Sequence, residues 1–496
     1  MEKKFIKLFI IFNLLIFLFN LPSGMKWFDN DFLNSVKNQY DFFLSMWLTS
    51  SSTLSQVITV QIGKIIAFVL YITIGYVFFK MYKLIKQSNE SIDIKKLIFY
   101  SFIPCLISFI GISWISIDVF SYIASGWLEF HYNLNPYYDV ISSIKNYNSD
   151  PMFQNLGWKC ESSIFAYGPI IQKILFSACA LSFGSVKIAL FNIKLFNLVF
   201  HLINIFLILK ISKKLSIRSD IPVFLYAFNP LILFSYITSA HNDIYMLTFI
   251  LTALYFIVSK NYIFTLLALS MAINIKYIPV LFVPFVIIYF SKNNDFKGWI
   301  KNIIIAAFIT IVSTLLLHAV YINNIFDFQT VFQRLSGQNN IIVSSLTFVT
   351  LVLFRGTEYM FFEDIKLIQK MIYLYLYSFI IVFCFRDKRK DNLETLLIAM
   401  VNAIIIYLII PSSSIFEWYL PWFMIITIFI NDDNYKKLTI SLSCIYCALM
   451  FFTGNVIPIV GFMANLLAYF VFIYILFITI YKIKDIFKFQ KITDSN

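Results

Sequence analysis

Stretches of about 17–25 apolar residues recur along this chain from one end to the other, and no other feature of it constrains the fold as strongly. A helix rises 1.5 Å per residue, so ~20 residues cross ~30 Å of hydrocarbon, and the shorter stretches are expected to tilt or pair as hairpins. In lipid every backbone N–H and C=O has to be satisfied within the protein, which makes repeated stretches of this length bilayer-crossing helices. Apolar residues fill 60% of the 496 positions and charged residues 13%, against roughly 45–50% and 25% in soluble domains. No single soluble core hides that much apolar surface. The expectation is an all-α polytopic membrane protein of one domain, 1–496, with about 11–14 transmembrane helices.

Spans are expected near 5–21, 63–81, 97–117, 186–209, 221–239, 244–259, 262–275, 278–290, 302–320, 371–385, 393–410, 418–430, 438–453 and 459–480. The first has basic residues at its start (Lys3, Lys4, Lys7) and no small-x-small cleavage signature, so it reads as a retained helix. A net charge of +13 comes from lysine-rich loops, which belong on the cytoplasmic side: Lys83–Lys96, Lys210–Arg218, Lys292–Lys301, Arg386–Lys390, Lys436-Lys437 and the tail from Lys482. Both termini then lie inside, and 22–62, 118–185 and 321–370 face outward. The outer loop 118–168 is net acidic (Asp118, Glu129, Asp139, Asp150 and Glu161 against Lys145 and Lys159). Residues 169–185 are expected as an interfacial or re-entrant helix on that face, followed by core helices over 186–480. No basic stripe interleaved with stacking aromatics stands outside the loops, so nucleic acid is excluded as a partner. The one C-x-x-C, Cys444 with Cys447, sits within an apolar run and reads as two buried thiols.

Polar clusters fall at the outer helix ends. Asp118 directly follows a span, where half-desolvation raises a carboxyl toward the range of a useful base; a helix cap is the plain alternative. His241, Asn242 and Asp243 sit in a tight outer turn that follows Asn229-Pro230, and such turns are also simply structural. Lys276 interrupts two apolar runs, where it either snorkels or meets an anionic headgroup. Glu417 and Trp418 pair a carboxylate with aromatics at another outer hairpin, a pattern an interfacial belt also produces; Arg334 and Lys159 add cations. Convergence on one face favours an outward-facing site over a transport path, which places ionisable residues at mid-bilayer.

The order Asp-Val-x-x-Tyr at Asp118–Tyr122, Leu-Asn-Pro-Tyr at Leu134–Tyr137, Tyr-Gly-Pro at Tyr167–Pro169, Asn-Pro-Leu at Asn229–Leu231, His-Asn-Asp at His241–Asp243, and a lysine before Tyr-x-Pro at Lys276–Pro279 resembles the GT-C glycosyltransferases, and within them the bacterial polyprenyl-phosphate-mannose-dependent α-mannopyranosyltransferases. The chain differs from that pattern in reading Ser-Gly-Trp-Leu-Glu around Gly126 where small-Gly-Arg is usual. The resemblance implies a GT-C type fold with a large first catalytic external loop. It also implies an enzyme that moves a mannose-like hexose from a polyprenyl-phosphate donor to a glycan or glycolipid acceptor on the outer face of the cell membrane. Asp118 would be the base of a single inverting displacement. Lys276, helped by His241, would stabilise the departing phosphate. Tyr122, Tyr137, Tyr167, Asn242, Asp243, Glu417 and Trp418 would bind and orient substrate. A divalent metal is compatible with this chemistry but not required by it. The rival readings are a flippase or transporter of lipid-linked saccharide, and a glycan polymerase or ligase.

Overall fold

The computed structural model describes residues 2–28, 54–88, 90–112, 116, 118–156, 167–322, 362–386, 393–412 and 415–450. It is helical throughout, with no strand among the described residues. Among the described residues five helices are long and apolar enough to cross a bilayer: Lys3–Pro22, Ile65–Gln87, Val186–Lys214, Phe296–His318 and Lys366–Arg386. A sixth is added if the bent pair Asp220–Ala227 and Pro230–Thr238 counts as one span. The protein is thus an all-α polytopic membrane protein. Shorter apolar helices accompany these among the described residues, including Asp243–Val258, Tyr262–Ile273 and Leu393–Ile409. Asp243–Val258 and Tyr262–Ile273 fall short of the ~30 Å of hydrocarbon, because polar turns at Ser259–Asn261 and Asn274–Tyr277 cut apolar sequence that otherwise runs on. The expected span 459–480, Lys159 and Arg334 lie outside the described residues.

Contacts divide the chain into two compact units, the first comprising Met1–Val280, Ala307–Gln338 and Ser443–Phe451. Its helices, numbered in chain order, are α1 (Glu2–Gly24), α2 (Leu54–Gln87), α3 (Ile94–Ile110), α4 (Asp118–Tyr132), α5 (Pro151–Leu156), α6 (Pro169–Ala180), α7 (Val186–Lys214), α8 (Asp220–Ala227), α9 (Pro230–Thr238), α10 (Asp243–Val258) and α11 (Tyr262–Ile273). The expected loop 118–168 therefore opens with a helix. Helix α4 packs along α6, and Gly126 permits the approach, since a Cβ there would lie 2.6 Å from the Leu175 carbonyl oxygen. On α1, Phe19 meets Phe234 of α9, with ring centroids 4.4 Å apart.

The α8–α9 bend of 41° is written in Asn229-Pro230. Asn229 caps α9 through a bond accepted by Oδ1 from Leu231 N at 3.0 Å, while its amide donates to Leu225 O and to Ser443 Oγ. Proline at the first helical position has no N–H to lose. This motif is accounted for as the break in a span. Helix α9 ends in a π turn, Leu233–Thr238, and the left-handed Ala240 (φ 55°) then reverses the chain into α10. At the opposite end of the unit, the Arg218 guanidinium pairs with Asp220 and donates to the carbonyls of Ile85 and Ser88, joining two of the basic loops.

The second unit is Leu281–Ala306, Asn339–Leu442 and Phe452–Asn496. Within it Tyr377 donates to Leu281 O at 2.7 Å, and Trp299 stacks on Phe385 with centroids 4.9 Å apart. The span expected at 418–430 is a seven-residue helix, Pro421–Thr427, preceded by the 3-10 turn Glu417–Tyr419.

Candidate active site

Asp118 is the first residue of α4, its backbone N–H held by Ser116 Oγ at 3.2 Å. Tyr122 follows one turn later on the same face, as residues four apart do on a helix. Both point at the turn between α9 and α10. His241 Nδ1 lies 3.9 Å from Asp118 Oδ2 and 3.4 Å from the Tyr122 hydroxyl. The Tyr122 and Tyr167 hydroxyls are 3.4 Å apart and their rings meet edge to face.

Tyr167 is placed by backbone. Gly168 N–H donates to Ile275 O at 3.0 Å, and a Cβ on Gly168 would lie 1.9 Å from the Asn274 carbonyl oxygen, so only glycine lets the Tyr-Gly-Pro segment lie against the turn after α11. Tyr137 donates its hydroxyl to Tyr167 O at 2.8 Å from the other side. That turn also carries Lys276. Its ammonium donates to Asp243 Oδ1 at 2.7 Å and sits 5.1 Å from the Tyr167 ring centroid. The lysine of the apolar hairpin is therefore paired within the cluster. Asn242 is buried, and neither its amide nitrogen nor its oxygen has a hydrogen-bond partner among the described residues.

These groups lie outside the spans, and their electrostatics differ. The Asp118 side chain keeps 39% of its surface reachable. Even so, desolvation by the protein atoms around it pushes its carboxyl up to about 6, against the opposing pull of Lys276 and Ser116. Burial, and then the Lys276 charge, hold the His241 imidazole well below its ordinary range. Burial, and then Tyr167, keep the Tyr122 phenol well above its own. The site thus combines a carboxylate able to take a proton near neutral pH, a neutral imidazole, a protonated phenol and a paired cation. A neutral His241 offers a hydrogen bond and no charge, which leaves Lys276 as the electrostatic group.

A second buried cluster stands behind Tyr137. Glu129, three turns along α4 from Asp118, accepts from Lys173 Nζ at 2.5 Å, Gln172 Nε2 at 2.8 Å and the Tyr321 hydroxyl at 3.0 Å. The Tyr321 ring packs on Tyr137 with centroids 5.0 Å apart. Sequence reasoning counted Glu129 only as loop charge. On α7, Lys194, Asn197, His201 and Asn204 are fully buried; their 3-4-3 spacing inside a span was the signal that could have found them. Glu417 and Trp418 are buried in the second unit, where Trp418 stacks on Phe416 with centroids 4.5 Å apart. Among the described residues no three His, Cys, Asp or Glu side chains group to hold a metal.

The family model described as alpha-(1->6)-mannopyranosyltransferase, N-terminal domain, matches residues 32–292, just over half of the chain. That stretch contains Asp118, Tyr122, Tyr137, Tyr167, His241, Asn242, Asp243 and Lys276, but not Glu417 or Trp418. No curated protein matches the chain.

Proposed function

The chain belongs to the alpha-(1->6)-mannopyranosyltransferase family and is a membrane mannosyltransferase, and from that premise we propose that it takes mannose from a polyprenyl-phosphate donor by a single inverting displacement with Asp118 as base. Asp118 accepts the proton of an acceptor hydroxyl as that oxygen attacks the anomeric carbon. The bond to the donor phosphate breaks, and its electron pair leaves with polyprenyl phosphate. An α product formed by one displacement requires a β-linked donor. The acceptor is a glycan or glycolipid, and the α-(1→6) linkage in the family's description points to a primary hydroxyl as its nucleophile.

The observation that carries this reading is that Asp118, Tyr122, His241 and the Lys276–Asp243 pair, drawn from three distant parts of the sequence, form one cluster inside the family-matched stretch. Lys276, held by Asp243, is the cation that stabilises the leaving phosphate. Tyr122, Tyr137, Tyr167 and Asn242 shape the sugar subsite, and the tight packing of Gly168 on the Asn274 carbonyl fixes Tyr167 there. Glu417 and Trp418, which the resemblance assigns to substrate, lie in the second unit and outside the family-matched stretch. The fold of this reading is GT-C, with 118–168 as its first catalytic loop.

An outward-facing site is supported by the length of α7. Asn197 contacts the His241 turn, and about five turns on, ~25 Å away along the axis, the helix ends at Lys213 and Lys214 beside the Arg218 cluster. Basic loops at that end belong in the cytoplasm, with both termini. The test is whether purified protein in detergent converts a β-mannosyl phosphopolyprenol and a mannoside into a product one hexose heavier. A flippase would leave the donor intact.

A further inference from the structure

A lysine buried inside a bilayer span is an expensive residue where methionine or leucine would fill the same room. Lys194 is such a residue, with no exposed surface, in the spanning helix α7. Its ammonium donates to three backbone carbonyls, those of Gly111 at 2.8 Å, Ile237 at 2.6 Å and Thr238 at 2.8 Å. An ammonium has three donors, and all three are used.

The acceptors are not arbitrary. Gly111 closes α3, the helix that precedes Asp118. Ile237 and Thr238 end the π turn of α9, just before the left-handed Ala240 and His241. A π turn leaves carbonyls off the regular ladder and in need of partners. Asn197, one turn on from Lys194, donates its amide to Tyr236 O at 2.8 Å and His241 O at 3.0 Å. The Thr238 hydroxyl closes the node by donating to Asn20 Oδ1 and Ser108 O, each at 3.1 Å. The two chain segments that present the base and the imidazole are therefore joined through one side chain of a third helix.

We propose that Lys194 is a positioning residue for the transfer reaction: its ammonium ties the end of α3 to the end of the π turn and so sets the spacing between Asp118 and His241. The inference rests on the mechanism proposed above. It goes beyond that mechanism in giving a function to a residue that touches no substrate.

The test compares wild type with Lys194→Met and Lys194→Gln, each in detergent with the folded fraction measured by size exclusion and thermal unfolding. Per folded molecule, kcat should fall about 10²-fold in Lys194→Met, the size of effect a misplacement near 1 Å produces. The donor KM should change much less, and Lys194→Gln, which keeps two donors, should recover part of kcat. The second readout needs no catalysis. The chain has 4 histidines, so 15N-histidine spectra, assigned with His241→Gln, can follow His241 directly. Its imidazole should stay neutral at pH 6 in wild type and become protonated there in Lys194→Met, as the loosened turn admits water. Unchanged His241 titration with unchanged kcat per folded molecule would overturn the proposal. So would a loss of activity that tracks only the folded fraction. If Lys194→Met does not fold, Lys194→Gln carries both readouts with the same signs. A wild-type chain that transfers nothing while the His241 signal still moves would overturn the reaction and leave the clamp standing.

Discussion

The acid limb of the pH profile is where the geometry of Asp118 becomes measurable. Asp118 acts as a base only when ionised, so activity is lost as pH falls through its pKa. An unperturbed aspartate near 3.8 would be more than nine-tenths ionised at pH 5, and the limb would lie below the working range. With the carboxyl raised to about 6 by desolvation, about nine-tenths is ionised at pH 7 and about one-tenth at pH 5. The rate should therefore drop about tenfold between those two values. The sign of the neighbouring charges gives a second, sharper expectation. Lys276 pulls the Asp118 carboxyl down and Asp243 pushes it up. Removing the cation with Lys276→Met should move the acid limb to higher pH, because a carboxylate that loses a nearby positive charge is harder to form. The assay is kcat/KM for mannose transfer across pH 4.5–8 in detergent, for wild type and Lys276→Met. A limb near 4 in wild type, or a shift to lower pH in the variant, would refute the reasoning.

Lys276→Arg should keep part of the activity and Lys276→Met should raise the donor KM with the acceptor KM nearly unchanged, read from separate titrations of the two substrates. Glu129→Ala leaves Gln172 and the Tyr321 hydroxyl without their shared acceptor, and should cost about 1–3 kcal/mol of stability, seen as a lower unfolding temperature in detergent. Topology is read at exposed positions: Ser143→Cys should react with a membrane-impermeant thiol reagent in intact cells, and Glu90→Cys only after permeabilisation. The reverse pattern would invert the orientation of the site.

The long spans were legible because they depend only on local apolar length, which lipid reads directly. Val186–Lys214 and Phe296–His318 need no partner to be recognised. Helix α4 was not, because its turns carry Asp118, Tyr122, Glu129 and His131, and an apolar window sees such a segment as loop. The break at Asn229-Pro230 was hidden inside a stretch apolar enough to pass as one span, although the cap and the proline were both in view. Asp118, His241 and Lys276 were picked out by type and by family pattern. Their mutual geometry was not readable, since the Lys276–Asp243 pair joins residues 33 apart through a fold no local rule gives. The buried groups on α7 escaped for the opposite reason: Lys194, Asn197, His201 and Asn204 lie in a span so apolar on average that four polar residues on one stripe did not disturb the reading.

The central claim is that mannose leaves a polyprenyl phosphate with Asp118 as the base, and the measurement closest to it is mass spectrometry on purified wild-type protein and Asp118→Asn given β-mannosyl phosphopolyprenol and a mannoside acceptor. Asparagine keeps the shape and polarity of the side chain but cannot take the proton. The account predicts a product one hexose heavier with an α linkage from wild type, and transfer slower by about 10²–10⁴-fold from a variant that is folded and inserted. Donor left intact by wild type, or equal transfer by Asp118→Asn, would contradict it.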